Sequence, residues 1–280
     1  MAPSAGAGSG GSAQPGGAGV GLPSGGAGAA NQAGMAGSGP LAGGSPNGGT
    51  GGLVTGGDTG GGGGGAVDPT LLPAVTLHLA GDSTVMTYAA DSLQEGWGQE
   101  LPQFLLAKVT IDNQALGGSS VKTFYAGRWQ TILENLHSGD YVAAAFGAND
   151  SGTVEGRHVE PPEFQATFAK MADEVRAKQA TFIAVTPSAL QQWSGGVEGN
   201  QRLEPYVTVL HSFDETSDVK LVDLNARSVE FLNQIGQEAA KQIYINGDKA
   251  HFTKKGATQM AQFVAQELAR VGSPLGDYVK

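Results

Sequence analysis

A serine, a histidine and an aspartate can act together in nucleophilic acyl transfer, and this sequence has a candidate for each. Ser83 lies in the run 81–84, Gly-Asp-Ser-Thr, whereas Asp248 and His251 lie three residues apart near the other end of the chain. A serine hydroxyl is a weak nucleophile until a nearby base accepts its proton, and His251 is a candidate for that base. Asp248 can accept the second ring N–H, which fixes the tautomer and stabilises the imidazolium. These three residues predict nucleophilic acyl transfer.

An acyl-transfer intermediate also needs hydrogen-bond donors directed at its oxyanion. Three groups are candidates: the backbone N–H of Ser83, the backbone N–H of Gly118 and the side-chain amide of Asn149. Gly117 precedes Gly118 directly and competes with it for this role. The neighbouring acids Asp82 and Asp150 are interpreted as structural residues that hold their loops.

Each of these residues also has a simpler interpretation. Ser83 is a good helix N-cap, and Asn149 can form an Asx turn. His251 can be a capping or surface histidine, Asp248 a turn former after a glycine, and Gly118 one more loop glycine. A spacing of three residues is common by chance, so Asp248 and His251 are interpreted as a catalytic pair only because Ser83 is also present.

Five short β-rich runs alternate with helical patterns along the chain. The runs span residues 75–80, 108–112, 141–146, 181–186 and 219–223. Helical spacing of large apolar residues starts at Trp129, follows Pro161-Pro162, and recurs before Gly272, with Thr253 as an N-cap. Strand–helix alternation predicts a doubly wound α/β fold with a parallel sheet covered on both faces. Ligands bind such sheets beyond the carboxyl ends of the strands, where the candidate residues stand.

Four blocks in this order resemble the GDSL/SGNH hydrolases: 81–83, Gly118, 147–150 and 248–251. In that family the blocks contribute the nucleophile, an oxyanion glycine, an oxyanion asparagine, and the aspartate and histidine. The resemblance spans roughly residues 75–271. It implies a flavodoxin-like three-layer sandwich with a five-stranded parallel sheet.

The amino-acid sequences of the blocks look most like those of the rhamnogalacturonan acetylesterase branch of that family. The similar segments are 81–84, 96–99 (Gly-Trp-Gly-Gln), 146–150 and 248–253. That branch often has a histidine where this chain has Ala148, a departure that concerns the substrate rather than ester cleavage. The resemblance implies a serine esterase that removes O-acetyl groups from acetylated rhamnogalacturonan or a related pectic polysaccharide, without cofactor or metal.

Two other interpretations stay open. One keeps the chemistry but changes the substrate to a longer acyl ester, acetyl xylan or a thioester. The other is a non-catalytic saccharide-binding module with the same fold. Trp193, in the segment after the fourth predicted strand, can stack on a sugar ring or pack in the core. His78 is predicted to be a core residue of the first strand, and His137, His158 and His211 surface residues.

Glycine is concentrated at the amino end: of 46 glycines, 28 fall in the first 65 residues, which contain no lysine, arginine or aromatic residue. Such a segment cannot bury enough apolar surface to offset its ordering entropy. Residues 1–68 are therefore predicted to be a disordered tail or linker, and 69–280 the hydrolase domain. A tail of this kind before an enzyme-sized domain favours a secreted or cell-surface protein.

The charge and cysteine counts exclude several classes of protein. With 26 acidic and 16 basic residues the net charge is −10, and no long basic run offers a footprint for nucleic acid. The absence of cysteine removes disulfides and thiolate nucleophiles. No window has the roughly 20 apolar residues that a transmembrane helix requires. We expect a monomer whose partner is its acyl-ester substrate.

Overall fold

The computed structural model describes residues 68–194, 197–198, 201–216 and 219–280. All of them belong to one compact unit, Gly62–Lys280, and the second unit, Met1–Gly61, lies outside the described residues. The predicted tail, 1–68, also lies outside them except for Asp68.

A parallel sheet of five strands forms the centre of the described unit, in the order β2-β1-β3-β4-β7. In chain order the strands are β1 (Val75–Gly81), β2 (Val109–Asn113), β3 (Tyr141–Ala145), β4 (Thr181–Val185), β5 (Trp193–Ser194), β6 (Val197–Glu198) and β7 (Lys220–Val222). The five predicted runs coincide with the sheet strands, so the α/β prediction is confirmed. The short antiparallel ribbon of β5 and β6 was not predicted.

Seven α-helices and two short 3-10 helices connect the strands in the described part of the chain. The α-helices are α1 (Trp97–Glu100), α2 (Val121–Gly127), α3 (Trp129–Asn135), α4 (Pro161–Ala177), α5 (Glu204–Thr216), α6 (Leu224–Ala240) and α7 (Lys254–Arg270). The 3-10 helices are Leu101–Phe104 and Pro274–Tyr278. As predicted, α4 begins at Pro161, and the Thr253 hydroxyl caps α7 by accepting the Gly256 N–H at 3.3 Å.

Helices cover both faces of the sheet. Successive side chains of each strand point to opposite faces, so each strand contributes to the core on both sides. On β1, Leu77 and Leu79 join the cluster that contains Met260 of α7, whereas Ala80 joins the cluster that contains Phe164 of α4. One cluster lies between the sheet and the helices on each face, so the domain has three layers: helix, sheet and helix. None of the described helices is long and apolar enough to cross a bilayer.

The strand order reverses at β1, since the chain first adds β2 on one side and then β3 on the other. Ligand crevices of open α/β sheets lie at such a point, outside the carboxyl ends of the strands. Ser83 follows β1 and Asn149 follows β3, so this topology places both at the crevice.

Candidate active site

Ser83 lies in a tight turn directly after β1. The turn is held by the buried carboxylate of Asp82, which accepts hydrogen bonds from the N–H and the hydroxyl of Thr84, both at 2.8 Å. The hydroxyl of Tyr88 donates to the carbonyl of Ser83 at 2.8 Å. No helix starts at Ser83, because α1 begins only at Trp97. The structure therefore does not support the interpretation of Ser83 as a helix cap.

The loop before α7 brings Asp248 and His251 together. One carboxylate oxygen of Asp248 accepts the backbone N–H groups of Ala250 and His251, at 2.6 and 2.9 Å. The other oxygen lies 2.8 Å from Nδ1 of His251. An ionised carboxylate can only accept, so Nδ1 donates to it, and in the neutral imidazole Nε2 is then left as an acceptor. Burial opposes ionisation of Asp248, but these hydrogen bonds outweigh it and hold the pKa of its carboxyl below the ordinary value.

Nε2 of His251 lies 2.9 Å from Oγ of Ser83. A continuous chain of hydrogen bonds thus runs from the Asp248 carboxylate through the imidazole to the serine hydroxyl. The His251 loop is tied to the body of the protein on both sides: Glu95 donates its N–H to the carbonyl of Phe252 at 3.1 Å, and Ile245 donates to the carbonyl of His251 at 2.9 Å. The arrangement places an imidazole nitrogen within hydrogen-bond reach of a serine hydroxyl, as acyl transfer requires.

The candidate oxyanion donors line the same cavity as Ser83 and His251, which has a volume of about 390 Å³. Gly118 has φ of +78°, a left-handed conformation that favours glycine. Gly117 also lines the cavity but is not in that conformation. The side-chain amide of Asn149 donates to the Ser119 carbonyl at 3.0 Å, which fixes its position beside the cavity.

Two buried carboxylates connect the loops that carry these donors. Asp150 accepts the backbone N–H of Val121 at 2.8 Å and that of Gly147 at 2.9 Å, and so joins the segments after β2 and β3. Burial raises the pKa of the Asp150 carboxyl to about 7 and also raises the pKa of Asp82. The Asn149 amide also donates to a carboxylate oxygen of Asp82 at 3.3 Å, and this longer of its two bonds is the one it would exchange for an oxyanion. Both acids support loops, in agreement with their structural interpretation.

Residues 79–259 match the model of the GDSL-like lipase/acylhydrolase family. This chain belongs to that family. It is a carboxylic ester hydrolase on an α/β scaffold, as the sequence resemblance implied.

Two curated relatives of this acylhydrolase come from Bacillus subtilis (strain 168). The probable rhamnogalacturonan acetylesterase YesY is 34% identical over 210 residues, which cover 72% of this chain and 96% of YesY. The rhamnogalacturonan acetylesterase RhgT is 30% identical over 221 residues, covering 73% of this chain and 94% of RhgT. Among solved structures, YxiM of Bacillus subtilis superposes with a TM-score of 0.66 at 30% identity. That superposition covers 72% of this chain and 58% of YxiM.

Trp193 lies outside the cavity that contains Ser83. It stands in β5, packs partly buried against the larger core cluster, and lines a separate cavity of about 580 Å³ together with Asp248. The loop 248–251 therefore separates the two cavities, with Ala250 and His251 on the side of Ser83. A role of Trp193 in binding sugar stays a prediction.

The remaining histidines of this acylhydrolase do not line the cavity that contains Ser83. His78 is 2% exposed and its Nδ1 lies 2.8 Å from a carboxylate oxygen of Asp112, so it is a core residue as predicted. His137, His158 and His211 are at the surface. Within the described ranges no group of three or more histidine, aspartate or glutamate side chains is arranged to hold a metal ion.

Tyr88, Arg157 and Arg202 are among the residues that line the cavity and were not identified from the sequence. Tyr88 is half-buried, and burial together with the nearby Asp82 raises the pKa of its hydroxyl to about 12. It is therefore a neutral hydrogen-bond donor at pH 7. Both arginines come from loops with no motif spacing that would single them out.

Proposed function

We propose that this acylhydrolase removes O-acetyl groups from acetylated rhamnogalacturonan or a related pectic polysaccharide, with Ser83 as the nucleophile. The observation that supports this most directly is the chain of hydrogen bonds from Asp248 through His251 to Ser83, at 2.8 and 2.9 Å. The two relatives named rhamnogalacturonan acetylesterases support the choice of polymer.

Acylation begins when Oγ of Ser83 attacks the acetyl carbonyl carbon while its proton passes to Nε2 of His251. Asp248 stabilises the imidazolium through Nδ1. The negative charge of the tetrahedral intermediate develops on the former carbonyl oxygen, where the N–H groups of Ser83 and Gly118 and the amide of Asn149 are the donors. The bond to the sugar oxygen then breaks, and Nε2 returns its proton to that oxygen.

Deacylation repeats these steps with water. A water molecule attacks the acetyl carbonyl of the acyl-enzyme and gives its proton to Nε2 of His251. Collapse of the second intermediate breaks the bond to Oγ, and Ser83 recovers its proton from the imidazolium. The products are acetate and the deacetylated sugar hydroxyl, and the enzyme returns to its starting state.

Acetate release from acetylated rhamnogalacturonan, homogalacturonan, xylan and mannan tests both the chemistry and the polymer. We expect the highest kcat/KM on a pectic substrate and loss of nearly all turnover in Ser83→Ala. Ser138→Ala is the matched control, because Ser138 is an exposed residue outside the cavity. Undiminished hydrolysis by Ser83→Ala would remove the nucleophile assignment.

The two rival functions give different results in the same assay. A higher kcat/KM on acetyl xylan would retain the mechanism and change the substrate. Glycan binding without acetate release from any polymer would identify a saccharide-binding module. The close approach of Nε2 to Oγ favours the enzyme over the binding module, since such a module has no need of an activated serine.

A further inference from the structure

The cavity that contains Ser83 has a charge opposite to that of the protein. The chain carries a net charge of −10, yet the two formally charged side chains that line this cavity are arginines, Arg157 and Arg202. Among the described residues no carboxylate lines it. Cationic groups in a cleft raise the local concentration of anionic substrates.

Arg157 lies directly over the backbone of Gly118. A Cβ atom placed on Gly118 would be 2.9 Å from a terminal guanidinium nitrogen of Arg157 and 3.0 Å from its Cζ. The guanidinium therefore stands beside the N–H that is a candidate oxyanion donor. It forms no ion pair or side-chain hydrogen bond with any residue that the structure describes.

Arg202 stands next to the other oxyanion block. One of its terminal nitrogens donates to the backbone carbonyl of Ala148 at 3.1 Å, one residue before Asn149. It also has no carboxylate partner in the described part of the chain. Both guanidinium groups are thus held against backbone near Gly118 and Asn149, on the side of the cavity where the acetyl carbonyl oxygen is expected.

A guanidinium presents planar N–H donors that match the two oxygens of a carboxylate. An arginine kept for fold stability is normally paired with an acid, whereas these two are exposed at the cavity and have no such partner among the residues that the structure describes. We propose that Arg157 and Arg202 form a subsite for the carboxylate of an acidic sugar unit at or beside the acetylated one. This inference rests on the proposed function and assigns the selection of the acidic polymer to these two residues.

The subsite has two consequences that a structural role would not have. The preference for the acidic polymer acts through charge, so it weakens as salt screens the exposed arginines. It also acts on substrate binding, so it changes KM more than kcat.

The test compares acetylated polygalacturonate with the same polymer after full methyl esterification, which removes the charge and keeps the sugar and the acetate. We expect wild-type kcat/KM to be about 10-fold higher on the free acid, equivalent to about 1.4 kcal/mol. The ratio of kcat/KM on the free acid to kcat/KM on the methyl ester should approach one in Arg157→Gln/Arg202→Gln. It should take intermediate values in each single variant. Arg157→Lys should keep part of it, because lysine keeps the charge without the planar fork.

Arg176→Gln is the matched control, since Arg176 is an exposed arginine of α4 outside the cavity and should keep the wild-type ratio. Equal wild-type kcat/KM on both polymers, or an unchanged ratio in the double variant, would overturn the subsite. The single variants give the same decision should the double variant not fold. Ser83→Ala on the free-acid polymer separates the two proposals: loss of turnover there upholds the esterase whether or not the ratio depends on charge.

Discussion

Nε2 of His251 lies 2.9 Å from Oγ of Ser83, although the two residues are 168 positions apart in the chain. The contact depends on packing between distant segments. Ser83 is placed by the end of β1, whereas the His251 loop is placed by α7 and by the backbone bond from Glu95 to Phe252. The proposed base and nucleophile therefore meet only in the folded chain.

Asp248→Asn should lower kcat on p-nitrophenyl acetate by roughly 10²- to 10⁴-fold, because an amide can no longer hold a proton on Nδ1 and stabilise the imidazolium. The measurement is a steady-state assay near pH 7.5. Asp91→Asn, at an exposed position outside the cavity, is the control. Activity within twofold of wild type in Asp248→Asn would contradict the assignment.

Gly118→Ala should reduce kcat by roughly 10- to 10³-fold, since it disturbs one oxyanion donor. The left-handed φ of +78° opposes a side chain, and the new Cβ would meet the Arg157 guanidinium. Gly127→Ala is the control because nothing lies within 4 Å of its Cβ. A larger loss in Gly117→Ala than in Gly118→Ala would transfer the donor role to Gly117.

The stability of the protein should fall between about pH 4 and pH 7 through Asp150. Its carboxyl has a pKa of about 7 in the folded state against an ordinary value of 3.8, so the folded state keeps a proton that the unfolded chain has lost. Stability gained from this group is complete below pH 4 and is lost as the pH rises through 7.

Asp150→Asn lacks this titration, so its free energy of unfolding should rise relative to wild type by up to about 4 kcal/mol between pH 4 and 7.5. Urea unfolding of both proteins at several pH values measures the difference. Asp91→Asn, at a surface position, should show no such change in the difference from wild type. A difference that is constant with pH would show that Asp150 stays ionised in the folded protein.

Short acyl groups should be preferred over long ones. Next to Asp82 and Thr84, which flank Ser83 in the chain, the space bounded by Trp97, Phe146 and Pro187 has no room for a water molecule. A hexanoyl chain has no buried channel there, so we expect kcat/KM for p-nitrophenyl acetate to exceed that for the hexanoate by roughly 10-fold or more. An increase with chain length beyond butyrate would instead support the longer-acyl alternative.

The sheet and the positions of the candidate residues along it were predictable because their signals are local. Each block stands within a few residues of the end of a strand or the start of α7, so the β-rich runs and the parallel topology together place Ser83, Asn149 and His251 at one edge. Thr253 was recognised as a cap for the same reason, since a hydroxyl before an apolar stripe acts on its own helix.

The rest of the site depends on contacts that leave no pattern along the chain. The β5–β6 ribbon has two residues in each strand, too few for a period to be visible. Arg202 bonds a carbonyl 54 positions away, and Arg157 reaches Gly118 across the crevice. The direction of a long side chain on a loop is decided by tertiary packing, so neither arginine was found from the sequence.

The two kinds of residue around the crevice differ in how freely they can change during evolution. Asp150 is completely buried and fastens two loops through backbone bonds, so a substitution there disturbs the segments that carry Gly118 and Asn149 together. Arg157 and Arg202 are exposed, and within the described ranges their side chains hydrogen-bond only the carbonyl of Ala148. Under the proposed function, replacing these exposed arginines changes which polymer is selected and leaves intact the buried hydrogen bonds that position the loops.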